Sequence, residues 1–219
     1  MGIDHDLLSP VLFGAGWVIW LAGLAFAAIR VDWAQLAVEK PLQHCFYGGA
    51  VVLWALWQLR AGISPGLSVH VLGMTTLTLM LGWQLAVLAG ALVLIGSVVT
   101  GQEAIVSLGV NGVVSVLIPV GISHGIMVWE RSRNFRNFFA YIFFCSFFGA
   151  GLAIGAAGFS MALVLVMDGA YSWSTVVHDY LRYLPLIMLP EAFLNGVVVT
   201  NLMVFHPQRL LTLDESRYL

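Results

Sequence analysis

The stretch PGLSVHVLGMTTLTLMLGWQLAVLAGALVL, residues 65–94, decides the fold. It opens on a turn-forming Pro-Gly pair, carries one imidazole at His70, and then continues to residue 94 without a single charged side chain. A helix needs roughly 20 apolar residues to cross the hydrocarbon core of a bilayer. The run supplies that apolar length, but Gly82-Trp83 interrupts it. It therefore reads as two short spans, 67–81 and 83–99, meeting at that pair.

The same composition extends outward in both directions. Hydrophobic residues make up 60% of the chain and charged residues 9%, with a mean hydropathy of +0.94. A water-soluble domain carries about a quarter of its residues as charges, so this is an integral membrane protein. No charge-rich block is long enough to form a separate soluble unit, and residues 1–219 read as one membrane domain. Apolar segments at 7–29, 43–60, 67–81, 83–99, 108–128, 138–166 and 184–205 predict an all-α, polytopic bundle of about seven transmembrane helices. The sixth is long enough to tilt or to break within GAGLAIGAAG, residues 149–158. The opening MGIDHDLLSP has two aspartates and no lysine or arginine. A cleaved signal peptide starts with positive charge, so the mature chain is expected to begin at residue 1 or 2.

Lysine and arginine collect in cytoplasmic loops. Seven spans with the N-terminus outside and the C-terminus cytoplasmic put Arg30, Lys40, Arg131, Arg133, Arg136, Arg209 and Arg217 inside, and only Arg60 and Arg182 outside. That layout is the one the charges favour. It also sorts the histidines. His5, His70 and His178 fall on the outer face, and His44, His124 and His206 on the inner one. Aspartates accompany the outer group: Asp4 and Asp6 flank His5, and Asp168 and Asp179 share a loop with His178. Imidazole nitrogen beside carboxylate oxygen suits nickel, cobalt, zinc or copper. A histidine at a membrane boundary also serves as an amphipathic anchor, so residue types and positions leave both readings open for His70.

Other chemistries are excluded or left without a motif. Cys45 and Cys145 form no CxxC pair and read as small buried apolar residues. No GxxxxGK[ST] phosphate loop occurs, so any ATP hydrolysis belongs to other chains. The single lysine, Lys40, lies in a predicted loop, which argues against a Schiff base inside a helix. No enzymatic activity and no nucleic-acid partner are expected. Glu191 falls within the last predicted span, where an ionisable group is costly unless it faces protein or a water-filled cavity. It reads either as a support for a ligand or as a hydrogen-bond partner of backbone near Pro185 or Pro190. Asn111, at the outer start of the fifth span, reads as a partner of the N-terminal segment or His70, or as a helix cap.

Several stretches together resemble the CbiM/NikM family, the substrate-capturing membrane subunits of energy-coupling factor (ECF) transporters for cobalt and nickel. LLSPVLFG resembles the opening helix, the quoted 65–94 stretch the third and fourth helices, SLGVNGVVSVLIPVGISHGI the Leu-Gly-Val-Asn segment, and LPEAFLNGVVVTNLMVFHPQRL the last helix. The resemblance covers nearly the whole chain. It implies a multi-pass permease of a bacterial cytoplasmic (inner) membrane, working with an ECF-type coupling subunit and ATPase subunits on other chains. It implies that the metal is the transported substrate, nickel or cobalt, with copper or zinc as alternatives. It places a metal ligand at His70, and further ligands at the extreme N-terminus. There the chain departs from the family. The family's histidine directly follows Met1, whereas here Gly2 does and the histidine is His5. The expected metal-site residues are accordingly His70, His5 and Asp4, enclosed near Asn111 and supported by Glu191. Two rival readings remain: a haem held between His44 and His124, and a membrane partner protein whose metal site is lost.

Overall fold

The computed structural model describes residues 2–3, 7–64, 67–133 and 135–218. The expected ligands Asp4 and His5 lie outside the described residues. The chain runs β1 (Gly2–Ile3), α1 (Pro10–Arg30), α2 (Trp33–Val38), α3 (Lys40–Trp57), β2 (Ala61–Ser64), β3 (Leu67–Val69) and α4 (Met74–Val99). A fifth helix, α5 (Leu108–Gly112), passes through a π-helical turn at Val113–Leu117 into α6 (Ile118–Arg133). Next, α7 (Phe138–Ala140) passes through a longer π segment, Tyr141–Phe148, into α8 (Gly149–Met167). The chain ends with α9 (Trp173–Asp179), α10 (Leu184–Phe205) and α11 (Glu215–Tyr218).

Five of these segments are long and apolar enough to cross a membrane: Pro10–Arg30, Met74–Val99, Leu108–Arg133, Phe138–Met167 and Trp173–Phe205. Large apolar side chains such as Val11, Val18 and Ile29 are exposed on the outer surface, while the inner faces form an extensive core and a smaller second cluster around Leu79, Met127, Tyr141 and Val199. In water that exposure would be costly; in lipid it is the ordinary solvent-facing surface.

Two sequence expectations need correction. A continuous helix over 67–81 does not form, because 67–69 is the central strand of a small three-stranded antiparallel sheet, ordered β1-β3-β2. In that sheet Gly2 faces Ser68 and Ile3 faces Leu67. The pairing joins residues far apart in sequence, which local hydropathy does not register. The long sixth segment is irregular at Tyr141–Phe148, ahead of the glycines, and α8 runs unbroken through GAGLAIGAAG. There Gly155 packs against Met188 and Gly151 against Ala192 of α10, so the small residues serve helix contact inside the bundle.

At Gly82 the backbone leaves helical geometry (φ 79°, ψ 162°), a conformation open to glycine and closed to most residues. The two halves of α4 flank α3 with opposite sense. Gly73 approaches Leu53 and Gly49 approaches Leu77, so 74–81 runs antiparallel to α3. Gly96 approaches Trp54 and Thr100 bonds to Gln58, so 83–99 runs parallel to it. The chain therefore reverses at Gly82. A broken helix leaves its last carbonyls without intrahelical donors. The C-terminal tail supplies them, with Leu211 N–H donating to Met80 O at 3.0 Å and Thr212 Oγ1 to Leu79 O at 2.7 Å. Near the other end of the bundle, Gly16 and Gly109 let α1 and α5 approach to backbone contact. A Cβ on Gly109 would lie 2.6 Å from Trp17 N, and one on Gly16 would lie 2.8 Å from Val110 N. This contact sets α5 beside the N-terminal strand.

Candidate functional site

His70 directly follows the central strand and lies four positions before Met74, the first residue of α4. It is 4% exposed, with its ring 4.5 Å from that of Trp57. Nδ1 lies 3.1 Å from Val71 O, and a proton on Nδ1 donates to that carbonyl. In this tautomer Nε2 carries the lone pair, the form that ligates metals. Burial holds the imidazole well below the usual histidine range, and the positive charge of Arg60 acts in the same direction.

The segment after His70 is fastened from two sides. Trp57 Nε1 donates to Leu72 O at 3.0 Å. From α10, the buried Glu191 carboxylate accepts the Leu72 and Gly73 N–H groups at 2.8 and 2.7 Å. Asn195 Nδ2 donates to Glu191 Oε1 at 2.9 Å, and Asn195 Oδ1 accepts Thr76 N–H at 2.9 Å. Glu191 thus bonds backbone, but at Leu72 and Gly73 rather than near Pro185 or Pro190. Three donors converge on its two oxygens, a pattern that suits an acceptor-only group. Its place one residue after Pro190 lies where α10 lacks an N–H and its ladder is interrupted. His70 and Glu191 line one cleft of about 940 Å³ with Arg60, Asp179, Tyr183 and Pro190.

Asn111 works at a different place. Its Oδ1 accepts Ile3 N–H at 2.9 Å, while Nδ2 donates to Ile3 O at 3.4 Å and to Glu103 Oε2 at 3.0 Å. The side chain thereby mimics a neighbouring strand and holds β1 on its free edge, the other edge being paired with β3. Glu103 is itself paired with Arg60, Oε1 to Nη2, at 2.8 Å. The chain is fastened again at Ser9, whose N–H and Oγ–H donate to the two oxygens of Asp168 at 2.5 Å each.

The structure therefore brings together His70 and Glu191, and separately Asn111 and the N-terminal strand, which meets β3 two residues before His70. Among the described residues no group of three or more His, Cys, Asp and Glu side chains is arranged to hold a metal. Sequence reasoning missed the Arg60–Glu103 pair, Asn195 and the Ser9–Asp168 attachment. The available signal was charge: Arg60, Glu103 and Asp168 are ionic residues in loops of a chain with very few of them. His178 contacts Arg182 at 3.0 Å and stays outside the cleft lining. His44 lines a second cleft between α3, α4 and α10, whereas the His124 ring stands 6.1 Å from Trp83. The two face different surroundings, so nothing here supports a haem between them.

Residues 3–209 match the family model described as cobalt uptake substrate-specific transmembrane region, CbiM. Two solved structures share the fold. A truncated transition metal transporter has 21% identity and a TM-score of 0.80, covering 94% of this chain and 100% of its own. A transition metal transporter has 20% identity and a TM-score of 0.79, covering 93% of each chain. No curated protein matches the chain in sequence.

Proposed function

Because the chain belongs to the CbiM family of cobalt uptake transmembrane regions, we propose that it captures a divalent cobalt or nickel ion at the face carrying His70 and hands it inward. Copper and zinc are the alternatives that the same donor types admit. The observation that carries this reading is the buried His70, its tautomer directed by Val71 and its backbone fixed by Trp57 and Glu191, beside the N-terminal strand. A pre-set imidazole spends little ordering entropy on binding, which is what a capture site requires.

In this proposal His70 Nε2 ligates the ion, and the N-terminal residues Asp4 and His5 complete the shell from the other side. Asn111 and Glu191 hold the two backbones that carry these ligands. Both oxygens of Glu191 already accept backbone N–H groups, which assigns it to support of the loop rather than to the ion itself. We further propose seven crossings, counting α3 and the two halves of α4 separately, with the N-terminus outside and the C-terminus cytoplasmic. The reversal at Gly82 and the distribution of lysine and arginine favour this count. The setting is a bacterial cytoplasmic membrane. The chain has no phosphate loop of its own, so an ECF-type coupling subunit and separate ATPases drive inward release.

The test is metal content and affinity of the purified protein with an untagged N-terminus, beside His70→Ala and His5→Ala. Stoichiometric cobalt or nickel in the wild type, lost in both variants, supports the site. Loss only in His70→Ala moves the second side-chain ligand away from His5. A metal-free wild type rejects the capture reading and favours a membrane partner protein with a lost site.

A further inference from the structure

We propose that Glu103, neutralised by Arg60, is the positioning residue of the N-terminal strand: it dictates which way the Asn111 amide faces, and that orientation pairs the amide with Ile3. An amide side chain has a donor end and an acceptor end that are nearly identical in shape. Only one orientation serves here. With Nδ2 toward Glu103 Oε2 at 3.0 Å, Oδ1 is left to accept Ile3 N–H at 2.9 Å. Turned over, Asn111 would set oxygen against a carboxylate oxygen and nitrogen against a backbone N–H. Both contacts would be repulsive in a buried site, since Asn111 is 1% exposed and the Glu103 side chain 2% exposed.

A lone buried carboxylate would be costly in this place. Arg60 offsets that cost by pairing with the other oxygen, Oε1, at 2.8 Å. The guanidinium is itself fixed, with Nε donating to Trp57 O at 3.0 Å and Nη1 to Gln102 O at 3.4 Å. Trp57 is also the residue whose ring packs against that of His70, tilted by 43° at 4.5 Å. The ion pair abuts the strand directly as well. A Cβ added to Gly2 would lie 2.9 Å from Arg60 Nη1 and 3.3 Å from Glu103 Oε1, so the pair fills the place that a side chain at residue 2 would take. One connected set of polar groups thus runs from Trp57 through Arg60, Glu103 and Asn111 to Ile3.

The link to metal capture rests on the function proposed above, but the positioning role is measurable without metal. The experiment is amide exchange at Ile3 in the metal-free, full-length protein in detergent, with α8 (Gly149–Met167) as internal reference, followed by metal affinity. Glu103→Gln and Asn111→Asp are each expected to speed Ile3 exchange about tenfold, the scale of one buried hydrogen bond. Glu103→Gln turns one donor against another donor; Asn111→Asp sets two carboxylates side by side. Combining them restores a matched set, because the introduced glutamine then accepts from Arg60 and donates to the introduced aspartate, which still accepts Ile3 N–H. The double variant is expected to return to within about threefold of wild type. Unchanged exchange in both single variants overturns the proposal, as does a double variant as impaired as the two single losses combined or one that fails to fold. Restored exchange in a protein that binds no metal keeps the positioning role and rejects the capture reading instead.

Discussion

Replacing Glu191 with glutamine isolates the support beneath His70. The carboxylate takes the Leu72 and Gly73 N–H groups at 2.8 and 2.7 Å and the Asn195 amide at 2.9 Å. Glutamine is nearly isosteric but keeps one acceptor oxygen, so its NH2 faces at least one of these donors. One charge-assisted bond, worth about 1.5–3 kcal/mol, is lost, and those that remain become neutral and weaker. A net cost of about 2–3 kcal/mol follows, or roughly 30- to 140-fold in the local opening equilibrium. The assay is site-resolved amide exchange at Leu72 and Gly73, which should speed by that factor while α8 stays constant. Metal affinity should fall by up to the same factor, because opening this segment displaces His70 two residues upstream. Exchange within threefold of wild type at both amides would refute the reasoning, because the carboxylate would then not be holding the loop.

Gly82→Ala forces a side chain onto φ 79°, ψ 162°, at a cost of about 1–3 kcal/mol, and a lower midpoint of thermal unfolding in detergent checks it. Asp168→Ala removes both acceptors of Ser9 and should weaken the attachment by about 1–3 kcal/mol, read as faster exchange at the Ser9 amide with α8 unchanged. His70 gives a pH dependence of definite sign. Its folded form stays neutral below the ordinary value of 6.5 while the unfolded chain takes up a proton there, so the unfolded state binds more protons. Stability from this group is full above 6.5 and declines as pH falls below it; thermal midpoints of wild type and His70→Gln should converge toward acid pH, and a constant difference from pH 7.5 to 5 would contradict the burial argument.

What the sequence made legible divides along the range of the interactions involved. Apolar length alone located the five segments long and apolar enough to cross a membrane, and Gly82 marked the reversal because only that residue type tolerates the backbone found there. The strand at 67–69 escaped because hydropathy carries no record of pairing: one partner, β1, is a pair of residues at the start of the chain, and the other, β2, is a short neighbouring strand that apolar length does not distinguish from a helix end. The short helices α2 and α9 escaped for a related reason: each is a turn or two held by end capping, from Asp32 and Ser172, with too few residues for a periodic apolar face.

The candidate site shows the same division at the scale of single residues. His70, Asn111 and Glu191 stood out because polar groups within apolar sequence are expensive and therefore have partners. The N-terminal segment was legible as a partner of Asn111, whereas the partners of Glu191 did not stand out, since they are main-chain groups: Leu72 and Gly73 carry no polar side chain to read. This arrangement has a functional logic. Side chains fixed on helices α5 and α10 grip the main chain of the two segments that converge on His70. The grip survives changes in the side chains of those segments, provided the residue at position 2 stays small. Side-chain changes in either segment therefore leave the frame that presents His70 in place, because that frame is held by a few buried polar groups bonded to main chain.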